Sequence, residues 1–153
     1  MRAISKEPVG YVCKSDRGLP RKEQTVFYIV PKTYQEVNKA MGRYGGTFKE
    51  EADGRKIYDV PKLNEADQQE WNDVLAKIEN FSFTDKYYTE NPDMATKAVD
   101  VKLEEGGKAK FVPLIEDGPT KIAVLKSLPA NVVNEIWRAS QDVSLLKEGE
   151  KNG

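Results

Sequence analysis

The strand-forming run at residues 25–30 (TVFYIV), which Pro31 ends, constrains the fold more than any other segment. β-branched and aromatic side chains favour a pleated strand, and proline cannot donate a hydrogen bond to a neighbouring strand. A shorter alternating pattern at residues 9–14 precedes it, across a polar connection at residues 15–24. The two runs predict an antiparallel β-hairpin with a long loop.

A helix is predicted directly after this hairpin. Thr33 and Glu36 have the spacing of a capping box, in which each side chain accepts from the backbone N–H of the other residue. Gly45 and Gly46 can leave a helix in the left-handed conformation, so they mark its end. The apolar positions at helical spacing between these limits are Tyr34, Val37, Met41 and Tyr44.

A second helix is predicted after a polar stretch at residues 47–62 that ends in a short extended piece. Asn64 is the expected cap, and the helix should end near Asn80. Between them, apolar residues occupy the positions i, i+3, i+4 and i+7, which gives the helix one apolar side. These residues are Trp71, Val74, Leu75 and Ile78.

The second half of the chain shows no clear helical pattern before Thr120. Residues 84–96 are assigned to a polar loop with aromatic side chains, and residues 99–103 and 111–115 to a second hairpin. Thr120 is expected to cap a short helix, and Pro129 to open the last helix.

These elements together predict an α+β fold with two β-hairpins packed against about four helices. A chain of 153 residues is long enough for one domain with its own core. We assign residues 1–146 to this single domain. Residues 147–153 form a charged C-terminal tail that has nothing to bury, and we expect the tail to be mobile in isolation.

The composition lacks histidine and includes one cysteine, Cys13, so it lacks the side chains that most soluble enzymes use for catalysis and transition-metal binding. Cys13 alternates with apolar residues and is predicted to be a buried, inert thiol. The 24 Lys and Arg residues nearly balance the 25 Asp and Glu residues, which disfavours binding to nucleic acid. No stretch approaches the roughly 20 apolar residues of a membrane span. We predict a non-enzymatic protein with no cofactor, no metal ion, no small-molecule substrate and no membrane partner.

Two groups of carboxylates keep an enzymatic alternative open, through acid–base chemistry or an oxygen-bound divalent ion. Surface charge explains both groups more simply, because charged residues in a turn or on the polar side of a helix usually face solvent. The groups are Glu50, Glu51 and Asp53 in a turn, and Asp67, Glu70 and Asp73 on the second predicted helix.

Charged and aromatic residues in three segments are the candidate contacts with a protein partner. Basic side chains cluster in the loop of the first hairpin, and aromatic residues are favoured anchors of interfaces as well as of cores. The candidates are Arg17, Arg21 and Lys22 in the loop, Tyr87 and Tyr88 in the aromatic segment, and Trp137 on the last helix.

Several short strings resemble a group of small tailed-bacteriophage proteins. Residues 15–27 (SDRGLPRKEQTVF) and 31–34 (PKTY) are similar to the "DR-LP-EQT-F" stretch and the "P-LT" helix start that open those chains. Residues 79–81 (ENF), 128–135 (LPANVVNE) and 148–152 (EGEKN) resemble later segments of the group, in the same order.

This resemblance implies a role in phage particle morphogenesis, with other phage structural proteins as partners and a homo-oligomer as an open alternative. The function predicted first is a minor virion or head–tail structural component. A tail assembly chaperone absent from the mature virion is one alternative, and a phage-encoded inhibitor of a host defence or regulatory protein is another. The expected location is the host cytoplasm during assembly, and the virion if the protein is structural.

Overall fold

The computed structural model describes the backbone of residues 2–152 and the side chains of residues 2–143, and it shows an α+β fold. The strands are β1 (Val9–Tyr11), β2 (Val26–Ile29), β3 (Phe48–Glu50), β4 (Lys56–Tyr58), β5 (Leu75–Phe81), β6 (Val99–Lys102) and β7 (Lys108–Ile115). The helices are α1 (Tyr34–Gly45), α2 (Val60–Val74), α3 (Asp85–Glu90), α4 (Pro92–Lys97), α5 (Gly118–Ser127) and α6 (Ala130–Asn152), with a 3-10 turn at Arg21–Glu23. The predicted fold class is confirmed.

Five strands form an antiparallel sheet in the order β1-β2-β5-β7-β6, and β3 pairs with β4 as a separate hairpin. Both predicted hairpins are confirmed: Val9 lies opposite Ile29 in the first, and Val99 lies opposite Phe111 in the second. Strand β5 lies between the two hairpins and joins them into one sheet.

The assignment of β5 to a helix was wrong. Helix α2 ends at Val74, and the chain continues as the central strand of the sheet. In this strand Leu75, Ile78 and Phe81 are buried, so every third residue points into the core. The strand is irregular, with Asn80 at a φ of 55°, and this irregularity reproduces the apolar spacing of a helix.

Two of the predicted helix caps were also wrong. Helix α2 begins one turn earlier than Asn64, because the Asp59 side chain accepts from the Lys62 N–H at 3.2 Å. Helix α5 is capped by Asp117, whose carboxylate accepts from the backbone N–H of Thr120 at 2.9 Å. In both cases an aspartate three residues before the bonded N–H is the better cap.

Residues 84–96, predicted to be a loop, form α3 and α4. Thr84 caps α3 by accepting from the Tyr87 N–H at 3.2 Å, and Pro92 is the first residue of α4. Each helix has only six residues. Elements of fewer than two turns do not repeat an apolar stripe, so periodicity could not reveal them.

Trp71 connects the helices to the sheet. Its ring is fully buried and lies edge-on to Phe27 of β2 at 6.2 Å and to Trp137 of α6 at 5.5 Å between ring centroids. Its indole N–H donates to the Lys121 carbonyl of α5 at 2.8 Å. The buried Lys121 ammonium in turn donates to the Leu75 carbonyl at 2.9 Å, beyond the end of α2. One side chain therefore holds α2 against three other elements.

Helix α6 continues to Asn152, through the segment assigned to the C-terminal tail. The side chains of residues 144–153 lie outside the described residues, so the domain boundary at residue 146 and the mobility of the tail stay predictions.

Trp71→Phe should lower the free energy of unfolding by about 2–3 kcal/mol, because it leaves a void and removes the donor to the Lys121 carbonyl. Denaturant titration measures the change. Trp137→Phe is the matched control, since Trp137 is only partly buried, and its loss should be smaller. Equal losses in the two variants would contradict the connecting role of Trp71.

Candidate protein-binding surface

Helix α1 turns a row of apolar side chains towards solvent. Tyr34 is 80% exposed, Met41 66% and Val37 40%, and their spacing places all three on one side of the helix. No residue of α1 is buried. We call Tyr34, Val37 and Met41 the α1 stripe. Amphipathic helices normally bury such a stripe against the core. Because the stripe of α1 is exposed, contacts other than apolar packing must hold this helix in place.

The side of α1 that carries Arg43, opposite the stripe, is attached to α2 by ion pairs. The Arg43 guanidinium contacts the Glu70 carboxylate at 3.3 Å and the Asp73 carboxylate at 3.1 Å. On the flank of the stripe, beside Val37, the Tyr44 hydroxyl also donates to Asp67 of α2 at 2.6 Å. At about 100° per residue, Arg43 lies half a turn away from Tyr34. These contacts therefore hold α1 with its apolar stripe facing outwards.

Glu70 is the centre of this attachment. It is 9% exposed and lies between Arg43 and the ammonium group of Lys32, which contacts its other carboxylate oxygen. We expected Glu70 to face solvent on the polar side of α2, and this expectation was wrong. A buried carboxylate needs cationic partners, and Lys32 and Arg43 supply them from the two ends of α1.

The N-terminus of α1 has the predicted capping box, which is confirmed. The Thr33 hydroxyl accepts from the Glu36 N–H at 3.3 Å, and the Glu36 carboxylate accepts from the Thr33 N–H at 3.0 Å. The Lys6 ammonium also contacts this carboxylate, at 2.6 Å. The hydrogen bond from Lys6, together with that from Thr33, lowers the pKa of Glu36 to about 2.

The β3–β4 hairpin carries a second group of exposed apolar side chains beyond the C-terminal end of α1. Its base is fixed by the Asp59 N–H, which donates to the Thr47 carbonyl at 2.8 Å. Nine large hydrophobic side chains are exposed among the described residues, and six of them lie on α1, on β4 or at the first residue of α2. The six are Tyr34, Val37, Met41, Ile57, Tyr58 and Val60.

The predicted basic contacts lie in the loop between β1 and β2. Arg17 is engaged within the chain: it donates to the Val12 carbonyl at 3.1 Å and to the Tyr11 hydroxyl at 3.3 Å. Arg21 is exposed and lies 3.6 Å from the Glu79 carboxylate. Lys22 is exposed, and no other described residue pairs with it. Of the three predicted cations, Arg17 is thus the one that makes hydrogen bonds within the protein, and Arg21 and Lys22 are exposed.

The predicted aromatic contacts pack within the protein. Tyr88 is 6% exposed, and its hydroxyl donates to the Lys110 carbonyl at 3.2 Å. Tyr87 is half-buried and stacks on Phe83 with 4.0 Å between ring centroids. Trp137 is partly buried and packs on Trp71. These contacts give the three aromatic residues a packing role, and a role in partner binding stays a prediction.

Cys13 is buried, as predicted, next to a carboxylate that joins the first hairpin to α6. The Tyr11 hydroxyl and the Lys14 N–H donate to Glu135 at 2.6 Å and 2.9 Å. Burial, with the nearby negative charge of Glu135, raises the pKa of the Cys13 thiol to about 12. A thiol in this state is protonated at neutral pH and is a weak nucleophile.

The carboxylates of the enzymatic alternative are exposed or engaged in contacts within the protein, as described for Asp67, Glu70 and Asp73. Glu50, Glu51 and Asp53 are exposed at the turn of the β3–β4 hairpin, where Asp53 pairs with Arg55 at 2.6 Å. Within the described residues, no group of three or more acidic or cysteine side chains is arranged to hold a metal ion. A cleft of ≈ 470 Å³ lies where α3 and α4 meet the start of α5, and its lining includes Tyr87, Glu90 and Met94.

The chain matches no protein-family model, no curated protein and no solved structure. In the described part of the chain, no helix combines the length and the apolar character that crossing a membrane requires. Sequence periodicity placed the α1 stripe on one side of a helix but did not show that this side is exposed. The signal that could have shown it is the acidic row Asp67, Glu70 and Asp73 on α2, which matches the polar side of α1.

The carboxyl group of Glu36 should titrate with a pKa near 2, and in Lys6→Met this pKa should rise towards the ordinary value of about 4.3. NMR titration of the side-chain carboxyl carbon measures both. Because the folded-state pKa is lowered, the stabilisation is complete above about pH 5 and decreases as the pH falls towards 2.

Glu36→Gln should accordingly lower the free energy of unfolding at pH 7 by at most about 1 kcal/mol, since this side chain is 46% exposed. The difference from the wild type should shrink on acidification. A Glu36 midpoint above pH 4 in the wild type would contradict the described contacts.

Proposed function

We propose that this protein acts by binding another protein during the assembly of a bacteriophage particle, and that the α1 stripe is its contact surface. The observation that supports this proposal is the exposure of Tyr34 and Met41 on a helix held by its opposite side. A flexible helix could turn such side chains inwards. Helix α1 is fixed at both ends, so a partner must cover them if they are to leave water.

The chemistry of the stripe suits a protein partner. Tyrosine and methionine are enriched at protein interfaces, because tyrosine adds a polar group to a large ring and methionine adapts to irregular surfaces. Burial of three side chains of this size contributes about 4 kcal/mol before the costs of association. The net charge of −1 adds little long-range attraction, so apolar contact is the main source of affinity.

The phage context comes from the resemblance of several sequence strings to those of small tailed-phage proteins. Within it we propose a minor virion or head–tail structural component, present in the host cytoplasm during assembly and afterwards in the particle. Arg21 and Lys22 are additional candidate contacts, because both cations are exposed.

A double substitution, Tyr34→Ser with Met41→Ser, should lower incorporation into particles at least about tenfold, because it removes most of the apolar contact. Quantitative mass spectrometry of particles purified from the encoding phage measures incorporation. Leu114→Ser is the matched control, because Leu114 on β7 is 49% exposed but lies outside the stripe, and it should be incorporated like the wild type.

Thermal unfolding of both variants should stay close to that of the wild type, since the replaced side chains are exposed. Normal incorporation of the double variant would refute the α1 stripe as the contact surface. If wild-type protein is missing from the particles and is instead bound to tail protein in lysates, the protein is an assembly chaperone. Binding to a host protein alone would identify an inhibitor.

A further inference from the structure

Strand β6 forms one edge of the five-stranded sheet, and its outer side is unpaired as far as Lys102; beyond it, the Glu104 N–H donates to the Glu23 carboxylate at 3.2 Å. It pairs with β7 on one side only. Apart from the pairing with β7, residues 99–102 make no backbone–backbone hydrogen bond within the described part of the chain. An open edge offers unpaired N–H and C=O groups to another strand. The residues of this edge are Val99, Asp100, Val101 and Lys102.

The pairing pattern identifies the backbone groups that face outwards. Leu103 closes the hairpin by donating to the Gly107 carbonyl at 3.0 Å. Backbone groups alternate in direction along an antiparallel strand, so those of Val101 also point to β7. The N–H and C=O groups of Asp100 and Lys102 therefore point to the open edge.

We propose that two copies of this protein pair through β6, antiparallel and centred on Val101, and so join their sheets across a twofold axis. In this register the outward backbone groups of Asp100 face those of Lys102 of the second copy, and the symmetry repeats the contact. Each aspartate side chain then lies directly opposite a lysine. Opposite charges at such positions stabilise strand pairing.

The other face of the strand is also self-complementary. Val101 would lie opposite Val101 of the second copy, and Val99 opposite Leu103. Val99 is 49% exposed in the single chain, so pairing removes apolar surface from water. Pairing through β6 thus places apolar residues against each other on one face and opposite charges on the other.

Alternative registers are disfavoured by charge. A shift of one residue would place the outward backbone groups of one strand opposite the inward groups of the other. A larger shift in one direction sets Lys102 against Lys102, and in the other direction sets Asp100 against Asp100. The charge pattern of β6 therefore selects one register, which is how sheet edges avoid unselective association.

Like-charge repulsion within the chain also favours an acidic residue beside Lys102. Within the chain its partner on β7 is Lys108, a residue of like charge, whereas Asp100 lies opposite Lys110. Like charges directly opposite each other on adjacent strands are destabilising. The second copy would place an aspartate on the free side of Lys102.

Sedimentation equilibrium between about 5 and 300 μM should show a monomer–dimer equilibrium for the wild type. Asp100→Lys and Lys102→Asp each create two like-charge contacts across the axis, so each should weaken self-association at least about tenfold. An equimolar mixture of these two variants should form a heterodimer, because opposite charges face each other again. The double variant Asp100→Lys with Lys102→Asp should dimerise as the wild type does.

Lys49→Asp is the matched control, since it makes the same change of charge at an exposed residue of β3, outside the five-stranded sheet, and should leave the dimer intact. Thermal unfolding of each variant confirms folding. A wild type that stays monomeric over the whole range, or single variants that dimerise like the wild type, would overturn the proposal. This pairing is independent of the α1 stripe: Tyr34→Ser with Met41→Ser should still dimerise, so each proposal can fail without the other.

Discussion

The buried carboxylate of Glu70 holds α1 in its orientation, and the exposed surface depends on that orientation. Lys32 precedes the helix and Arg43 lies in its last turn, and both contact this one carboxylate. The two contacts fix both ends of a helix that buries no side chain of its own. Removal of one partner from such an arrangement leaves a poorly solvated charge, so the attachment resists rotation of the helix.

Two surfaces of the molecule therefore expose groups that proteins usually bury or pair, and they do so for different physical reasons. The α1 stripe presents apolar side chains because ion pairs hold the helix by its other side. Strand β6 presents backbone groups because the sheet ends there. The first suits a different protein with a complementary apolar surface, and the second suits a copy of the same strand. Together they fit the proposed component of a particle, in which one surface would serve self-association and the other attachment to a partner.

The sequence predicted correctly those helices and strands that depend on interactions between residues close together in the chain. The strand at residues 25–30, the capping box of Thr33 and Glu36, and the second hairpin were all predictable from neighbouring residues. Strand β5 was not, because a central strand takes its pattern from the elements on both sides of it. Its buried residues, Leu75, Ile78 and Phe81, follow an irregular backbone and imitate a helix.

The candidate surfaces could be predicted only in part. The spacing of Tyr34, Val37 and Met41 defined the stripe, but its exposure depends on the contact between Arg43 and Glu70, which are 27 residues apart. For Tyr88 and Trp137 the aromatic character suited both a core and an interface, and tertiary packing encloses them wholly or in part. The sequence of a helix or strand predicts which residues share a side, and tertiary contacts decide which side is buried.

Oxidation of methionine by hydrogen peroxide, followed by peptide mass spectrometry, tests the outward orientation of the α1 stripe most directly. Met41 is 66% exposed, whereas Met94 packs against the core and serves as an internal reference. In the free protein Met41 should oxidise at least about tenfold faster than Met94, and in purified particles it should be protected. Equal rates for the two residues in the free protein, or an unchanged Met41 rate in particles, would contradict the account.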